Sequence, residues 1–451
     1  MKSWPADKVC DDARWGAGNR ARILSGPFTG ALIYALGCVF GIAALGPAGC
    51  GNNSTAQPPD AMMQPDPVGN TPSMPMPYTP SYPPLAPQVL AGSGSILSAP
   101  RVVPVFFSGD KFQAQLTAFI QAYVTTSTSW QVLKEYGVNT GTVTPPVVLT
   151  QTLAASISDT DVQNFIAARI QDGSLTVDAQ TIVTLFYPTT TTITNNGSVS
   201  CRDFAGYHGS ATLASGGRLA YAVVPRCGLE PVSALTFAVS HELVEAATDP
   251  LLSAYNDLND PYSLWTLNYG GVEIGDMCQN LADPAFSEKN VGVLARVWSN
   301  TAAAAFGNPC VPAAPGPSFF SIPVHNQLQV IQLNNKLRNI EQISITAGQT
   351  VTLDVRMLSP TKPSPTWSVT PLEVPLPGAG GTGVSALSFA WVEAPGKQTA
   401  SGQDGVTLHL KITANASGPL GYTSFRLESI GPTTAGGQTE TDWVGFVVIN
   451  K

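Results

Sequence analysis

Residues 233–250 read SALTFAVSHELVEAATDP. Leu235, Val239, Leu243 and Ala246 recur at helical spacing, so the stretch predicts a helix, with Ser233 placed to cap its start and Pro250 to stop it. His241 and Glu245, four residues apart, then share a side and can hold one metal ion from one face, with Glu242 between them beside the ion's water. With 4 His and 11 Glu in 451 residues, composition alone produces His-Glu-x-x-Glu in roughly one such chain in several hundred. A solvated polar helix face is the plain alternative.

Zinc hydrolase sites take three protein ligands and leave one position open for water, so this helix needs a third donor. Glu273 is the first candidate, in Val272-Glu273-Ile274-Gly275-Asp276-Met277-Cys278, a segment that Cys278 can staple near the core. Asp276 is the second and His208 the third, His208 serving otherwise in transition-state stabilisation. Glu242 is the candidate general base. The metal set is therefore His241, Glu245, Glu273 and Asp276, the catalytic set Glu242 and His208, and the cofactor a divalent ion, zinc first. Glu273 and Asp276 read alternatively as turn residues flanking Gly275, and Asp249-Pro250 as a simple helix stop. His409 alternates outward on a strand and His325 lies between the two main segments; neither joins the candidate set.

Upstream of the helix, strand-like and helix-like segments alternate. Val102–Phe107 reads as a buried strand, and Phe112, Leu116, Phe119, Ile120 and Tyr123 as one helical stripe. A second helix starts at a Ser158 cap with Asp161 three residues on, and strands follow at Gln180–Tyr187 and Arg218–Val224. This predicts an α/β domain over 88–317 with the motif helix against a sheet. Within it, Asp257-Leu258-Asn259-Asp260 reads as an ordinary turn, since it lacks the Gly and distal Glu of a calcium loop. Tyr262, Trp265 and Tyr269 read as core residues, or as the lining of a substrate groove. From 318 to 451 the period changes to two. Val351, Leu353, Val355 and Met357 alternate with Thr352, Asp354 and Arg356, and Val406, Leu408, Leu410 and Ile412 repeat the pattern, predicting an all-β immunoglobulin-like sandwich.

Toward the N-terminus, ALIYALGCVFGIAALGPAG at 31–49 follows Arg20 and Arg22 and precedes Cys50. The order resembles a bacterial lipoprotein signal, which implies removal of residues 1–49 and a lipid on Cys50. An uncleaved membrane anchor is the alternative, with four Gly and one Pro in the run against it. Residues 51–87 hold eleven prolines and almost no branched aliphatics, so 50–87 reads as a disordered tether. The folded part is then expected outside the cytoplasm, lipid-anchored at the cell envelope or surface, the outer membrane included, with the membrane as one partner. A net charge of −8 and only 12% charged residues offer no basic surface for nucleic acid. A peptide or cell-wall substrate and a monomer complete the expectation. Beyond Cys10, Cys38 and Cys50, the four cysteines 201, 227, 278 and 310 can pair in three ways, and proximity favours Cys201 with Cys227 and Cys278 with Cys310. A four-thiolate zinc site lacks the close spacing it would need.

Four blocks together, Gly206-Tyr207-His208, Ser240 to Pro250, Glu273 to Cys278 and Val297-Trp298-Ser299-Asn300, resemble the core of the EXORDIUM or phosphate-induced protein family of secreted plant proteins. The resemblance covers roughly residues 100–312 and implies an extracellular protein with a link to growth signalling; it carries over a site more than a reaction. His-Glu-x-x-Glu also resembles the zincin metallopeptidase helix, with Glu245 where a second His usually stands, and so implies a zincin-like α+β layer domain with a hydrolytic metal. A non-catalytic extracellular binding or signalling protein that keeps a structural metal is the reading from a different class.

Overall fold

A computed structural model describes residues 76–79, 85–228, 231–269, 271–281, 283–333, 336–374, 385–418 and 420–451. The signal-like run, Cys50 and most of the Pro-rich segment lie outside these. Among the described residues no helix is long and apolar enough to cross a membrane.

The segment Thr181–Tyr187 is buried at every position, the pattern of a strand covered on both faces. It pairs in parallel with Arg101–Phe107 on one side and Arg218–Pro225 on the other. Short strands Thr142–Val143 and Val147–Leu149 add in parallel beside Arg101–Phe107, and Tyr207–Thr212 closes the far edge antiparallel to Arg218–Pro225. Alternation sorts the side chains. Val102, Phe106, Ile182, Phe186, Ala220, Ala222 and Val224 point to one face, where helix Gln113–Thr126 and the motif helix Val232–Thr248 pack. Val103, Val105, Val183, Leu185, Tyr221 and Val223 point to the other, against helix Asp159–Gln171. That second helix starts on Ser158, with the Ser158–Asp161 capping box its sequence predicts.

The motif helix differs from expectation at its start. Pro231, not Ser233, is the N-cap residue and offers no side-chain cap, while Ser233 lies inside the first turn and its carbonyl accepts from Thr236 Oγ1. The fixed φ of proline suits a helix entrance, which lets the chain turn in without a hydroxyl. The end is as predicted. Asp249 leaves the helical region ahead of Pro250, and its Oδ1 accepts from the backbone N–H groups of Ser253 and Ala254, each at 2.6 Å.

Two further expectations change. Asp257 and Leu258 end a strand, Tyr255–Leu258, paired with Val89–Ala91, and the predicted turn begins only at Asn259, whose carbonyl accepts from Tyr262 N–H; Asp257 and Asp260 form ion pairs with Lys336 and Arg338. The end of the supposed tether is ordered. Met76–Pro77 pairs with Gln327–Leu328, Ala86 is buried, the Leu85 carbonyl accepts from Tyr262 Oη, and the Pro87 carbonyl accepts from Trp298 Nε1. Composition alone hid this, because the anchoring donors sit some two hundred residues downstream.

The C-terminal part is a β-sandwich. Phe320–Pro323, Thr350–Leu358, Thr407–Ala414 and Leu387–Trp391 form one sheet, and the larger one includes Lys336–Thr346, Gly421–Pro432, Trp367–Val374 and Gln438–Asn450. Leu353, Val355, Met357, Leu408, Leu410 and Ile412 fill the space between, as the period of two predicts. The outer face of the larger sheet is covered as well. Val444, Phe446, Ile331 and Ile340 join the same core as the motif helix, and Trp443 meets Trp265 edge-on with ring centroids 5.3 Å apart. Tyr262, Trp265 and Tyr269 are therefore core residues, not a groove lining.

Candidate metal centre

Helical spacing puts His241 Nε2 3.1 Å from Glu245 Oε1. The face they occupy is not solvated: His241 is 8% exposed, Glu242 5% and Glu245 3%, which excludes the plain polar-face reading. The motif helix is covered on that side by two other segments. One is the edge strand Tyr207–Thr212, which carries His208. The other runs from Val272 into the short helix Asp276–Gln279, carrying Glu273 and Asp276.

These segments bring all six predicted residues into one buried cluster. Asp276 Oδ1 lies 3.5 Å from His241 Nε2 and is oriented by a hydrogen bond from Gln279 Nε2 at 2.8 Å. Glu273 turns the other way, with Oε1 3.3 Å from His208 Nε2. His208 Nδ1 in turn faces Glu245 Oε2 at 3.4 Å and Glu242 Oε2 at 3.9 Å. Asp276 rather than Glu273 thus stands beside His241, because the chain reverses at Gly275 between them. A Cβ at Gly275 would lie 2.6 Å from Glu245 Oε1 and 2.9 Å from the His241 ring. The segment approaches the helix so closely that only glycine fits. Gly206 does the same for Glu242, where a Cβ would meet Oε1 at 2.6 Å.

The segment around Gly275 is held from two sides, one of them the Cys278 staple that the sequence predicts. Trp298 N–H donates to the Ile274 carbonyl and holds the Glu273–Asp276 reversal from beneath, while the Cys278–Cys310 disulfide ties the short helix to the strand pair that contains Trp298. The second disulfide joins Cys201 to Cys227. Gln279 escaped sequence reading because a lone glutamine carries no motif signal. His409 and His325 lie outside the cluster: His409 bonds Glu393 on the sandwich surface, and the His325 ring accepts from Phe446 N–H.

Burial opposes charge on both imidazoles, yet the carboxylates around them win. Glu273 and Glu245 hold His208 well above the ordinary histidine value, and Glu245 and Asp276 do the same for His241. Against its own burial, Glu245 is pulled below the carboxylate range by the two rings. Glu273 is pushed well above that range by burial and by repulsion from Glu245 and Asp249, which His208 only partly offsets.

The donor atoms suit a cation. Ligands on one tetrahedral zinc, each at about 2.0–2.1 Å, stand roughly 3.3 Å apart, and the His241–Glu245 and His241–Asp276 distances of 3.1 and 3.5 Å bracket that edge. Glu245 Oε1, Glu273 Oε1 and His208 Nε2 are buried and have no hydrogen-bond partner among the described residues. Buried polar atoms are rarely left so, and for Glu245 and Glu273 this holds although an imidazole nitrogen is close by. One donor from each of His241, Glu245 and Asp276 falls within 4.8 Å of the others, and the same is true of His208, Glu245 and Glu273.

No family model and no curated protein match the chain. Among solved structures it is similar to domains 4 and 5 of the S-layer protein SbsC, with 12% identity over 35% of this chain and 81% of that one and a TM-score of 0.16. Domains 4–9 of the same protein match with 11% identity over 37% of this chain and 27% of that one, at a TM-score of 0.16.

Proposed function

We propose that the chain is an exported, metal-dependent hydrolase of zincin-like α/β architecture that cuts a peptide bond, its sandwich serving substrate or wall binding. Export and a lipid on Cys50 rest on the signal-like run at 31–49. One observation carries the hydrolytic reading: His241 Nε2 stands 3.1 and 3.5 Å from buried carboxylate oxygens of Glu245 and Asp276, distances close to the edge of one coordination tetrahedron, on a helix and a disulfide-stapled turn. Zinc fits this mixed nitrogen and oxygen set, and when bound it supplies Lewis-acid polarisation of the scissile carbonyl and of water. Glu242 stands apart from that triad, next along the helix from His241, where it accepts the proton of the attacking water and returns it to the leaving amine. Gly206 lies so close to the Glu242 carboxyl that a Cβ there would stand 2.6 Å from Oε1.

A second reading, a structural metal in a non-catalytic binding protein, is favoured by closure of the site. None of the six residues is more than a tenth exposed, and closed coordination is the mark of structural metals. The cavity of about 360 Å³ lined by Thr366, Trp367, Ser401 and Gln438 belongs to the sandwich and shares no residue with the cluster.

Elemental analysis of the purified protein and cleavage of an unstructured protein substrate, with and without chelator, test the proposal. Bound zinc and chelator-sensitive cleavage are expected, with His241→Ala losing both. Glu242→Gln should keep the metal while slowing turnover by about 10²–10⁴-fold. A metal-free wild type with no chelator-sensitive cleavage overturns the reading. If Glu242→Gln leaves the protein's function intact while His241→Ala destabilises the fold, the structural metal is right instead.

A further inference from the structure

The His208 and Glu273 side of the cluster has no task in a single-cation site. His208 is 2% exposed and Glu273 8%, and Nε2 of one and Oε1 of the other, 3.3 Å apart, are both without a hydrogen bond. Glu245 stands between this pair and the His241–Asp276 pair, turning Oε1 toward His241 Nε2 and Oε2 toward His208 Nδ1, and one donor atom from each of His208, Glu245 and Glu273 falls within 4.8 Å of the others. A carboxylate that offers one oxygen to each of two donor sets has the geometry of a bridge between two cations.

We infer that the centre takes two divalent cations that share Glu245: one on His241, Glu245 and Asp276, the other on His208, Glu245 and Glu273. The inference rests on the metal reading above and deepens it. Burial adds to this: Glu245 and Glu273 are buried carboxylates whose ion-pair partners among the described residues are imidazoles and no Lys or Arg. Paired ions about 3.5–4 Å apart are the usual spacing of two-metal hydrolytic sites, and a single carboxylate spans that gap.

Stoichiometry and spin coupling test this without recourse to activity. Metal-stripped protein reloaded with Zn²⁺ alone should hold two equivalents after dialysis. Loaded with Mn²⁺ alone, it should give the multiline electron paramagnetic resonance spectrum of a coupled pair. His208→Gln and Glu273→Gln should each retain one equivalent and give an uncoupled Mn²⁺ signal. One equivalent in the wild type with an uncoupled signal overturns the second cation and leaves His208 as a residue that orients Glu245. Two equivalents retained unchanged by both variants also overturn it. The wild-type spectrum decides the matter even where a variant does not fold. Binding of no metal sinks the metal reading itself, whereas two equivalents without cleavage sink only the catalytic one.

Discussion

Glycine 275 shows how a residue with no side chain governs those that have one. The atoms a methyl group would strike there are Glu245 Oε1 and the His241 ring, both buried side chains of the motif helix. Gly275→Ala should therefore displace the Glu273–Asp276 reversal, cost about 1–3 kcal/mol as overpacking does, and weaken metal binding at least tenfold. Thermal denaturation and competition with a chromogenic chelator measure the two effects; unchanged affinity would show that the close approach is incidental. At this scale the sequence was legible where spacing is local. His241, Glu242 and Glu245 share one helix, and a period of 3.6 fixes which of them align. Whether Glu273 or Asp276 faces His241 depends on the backbone path through one glycine, and His208 arrives on an antiparallel edge strand some thirty residues away; no local pattern encodes either.

Among the elements, the short helix Asp276–Gln279 is too brief to be stable alone, and its position comes from what is tied to it. Cys278 bonds to Cys310 across 32 residues, a loop whose closure is worth about 3–4 kcal/mol in chain entropy. Replacing both cysteines by serine should lower the melting temperature and release Asp276, so that metal affinity falls further than in a double replacement at 201 and 227, whose bridge does not join the Asp276–Gln279 helix. Calorimetry with and without Zn²⁺ separates the two contributions, and equal losses of affinity in both variants would refute the positioning role. Strands and helices were mostly legible here, because alternation and capping signals act within a few residues. Ser233 misled because a favourable capping residue loses to a proline that stands two positions earlier at the true bend. Asp257-Leu258 was read as a turn because polar residues suit turns, whereas its partner strand and its basic partners lie far away in sequence.

Across the whole molecule, the layered sheet and the sandwich share apolar packing. Trp443, Val444 and Phe446 of the last strand reach the core that contains Trp265 and the motif helix. Trp443→Ala should cost about 3–5 kcal/mol and destabilise both parts together. One unfolding transition, seen alike by Cys278-side and sandwich-side probes, is expected, and two separate transitions in the wild type would contradict this. The pattern of alternation announced a sandwich face but not a second cover, since period two tells which residues are buried and never what lies over them.

The pairing of Met76–Pro77 with Gln327–Leu328, followed by the clasp of Leu85 and Pro87, bears on how force travels. A pull from the N-terminal side is met first by a two-residue ladder that peels at low load, then by Tyr262 and Trp298 hydroxyl and indole grips rooted in the common core. The tug is thereby spread over aromatic packing, and Trp298, whose backbone N–H also holds the Ile274 carbonyl, passes part of it on to the turn at Gly275.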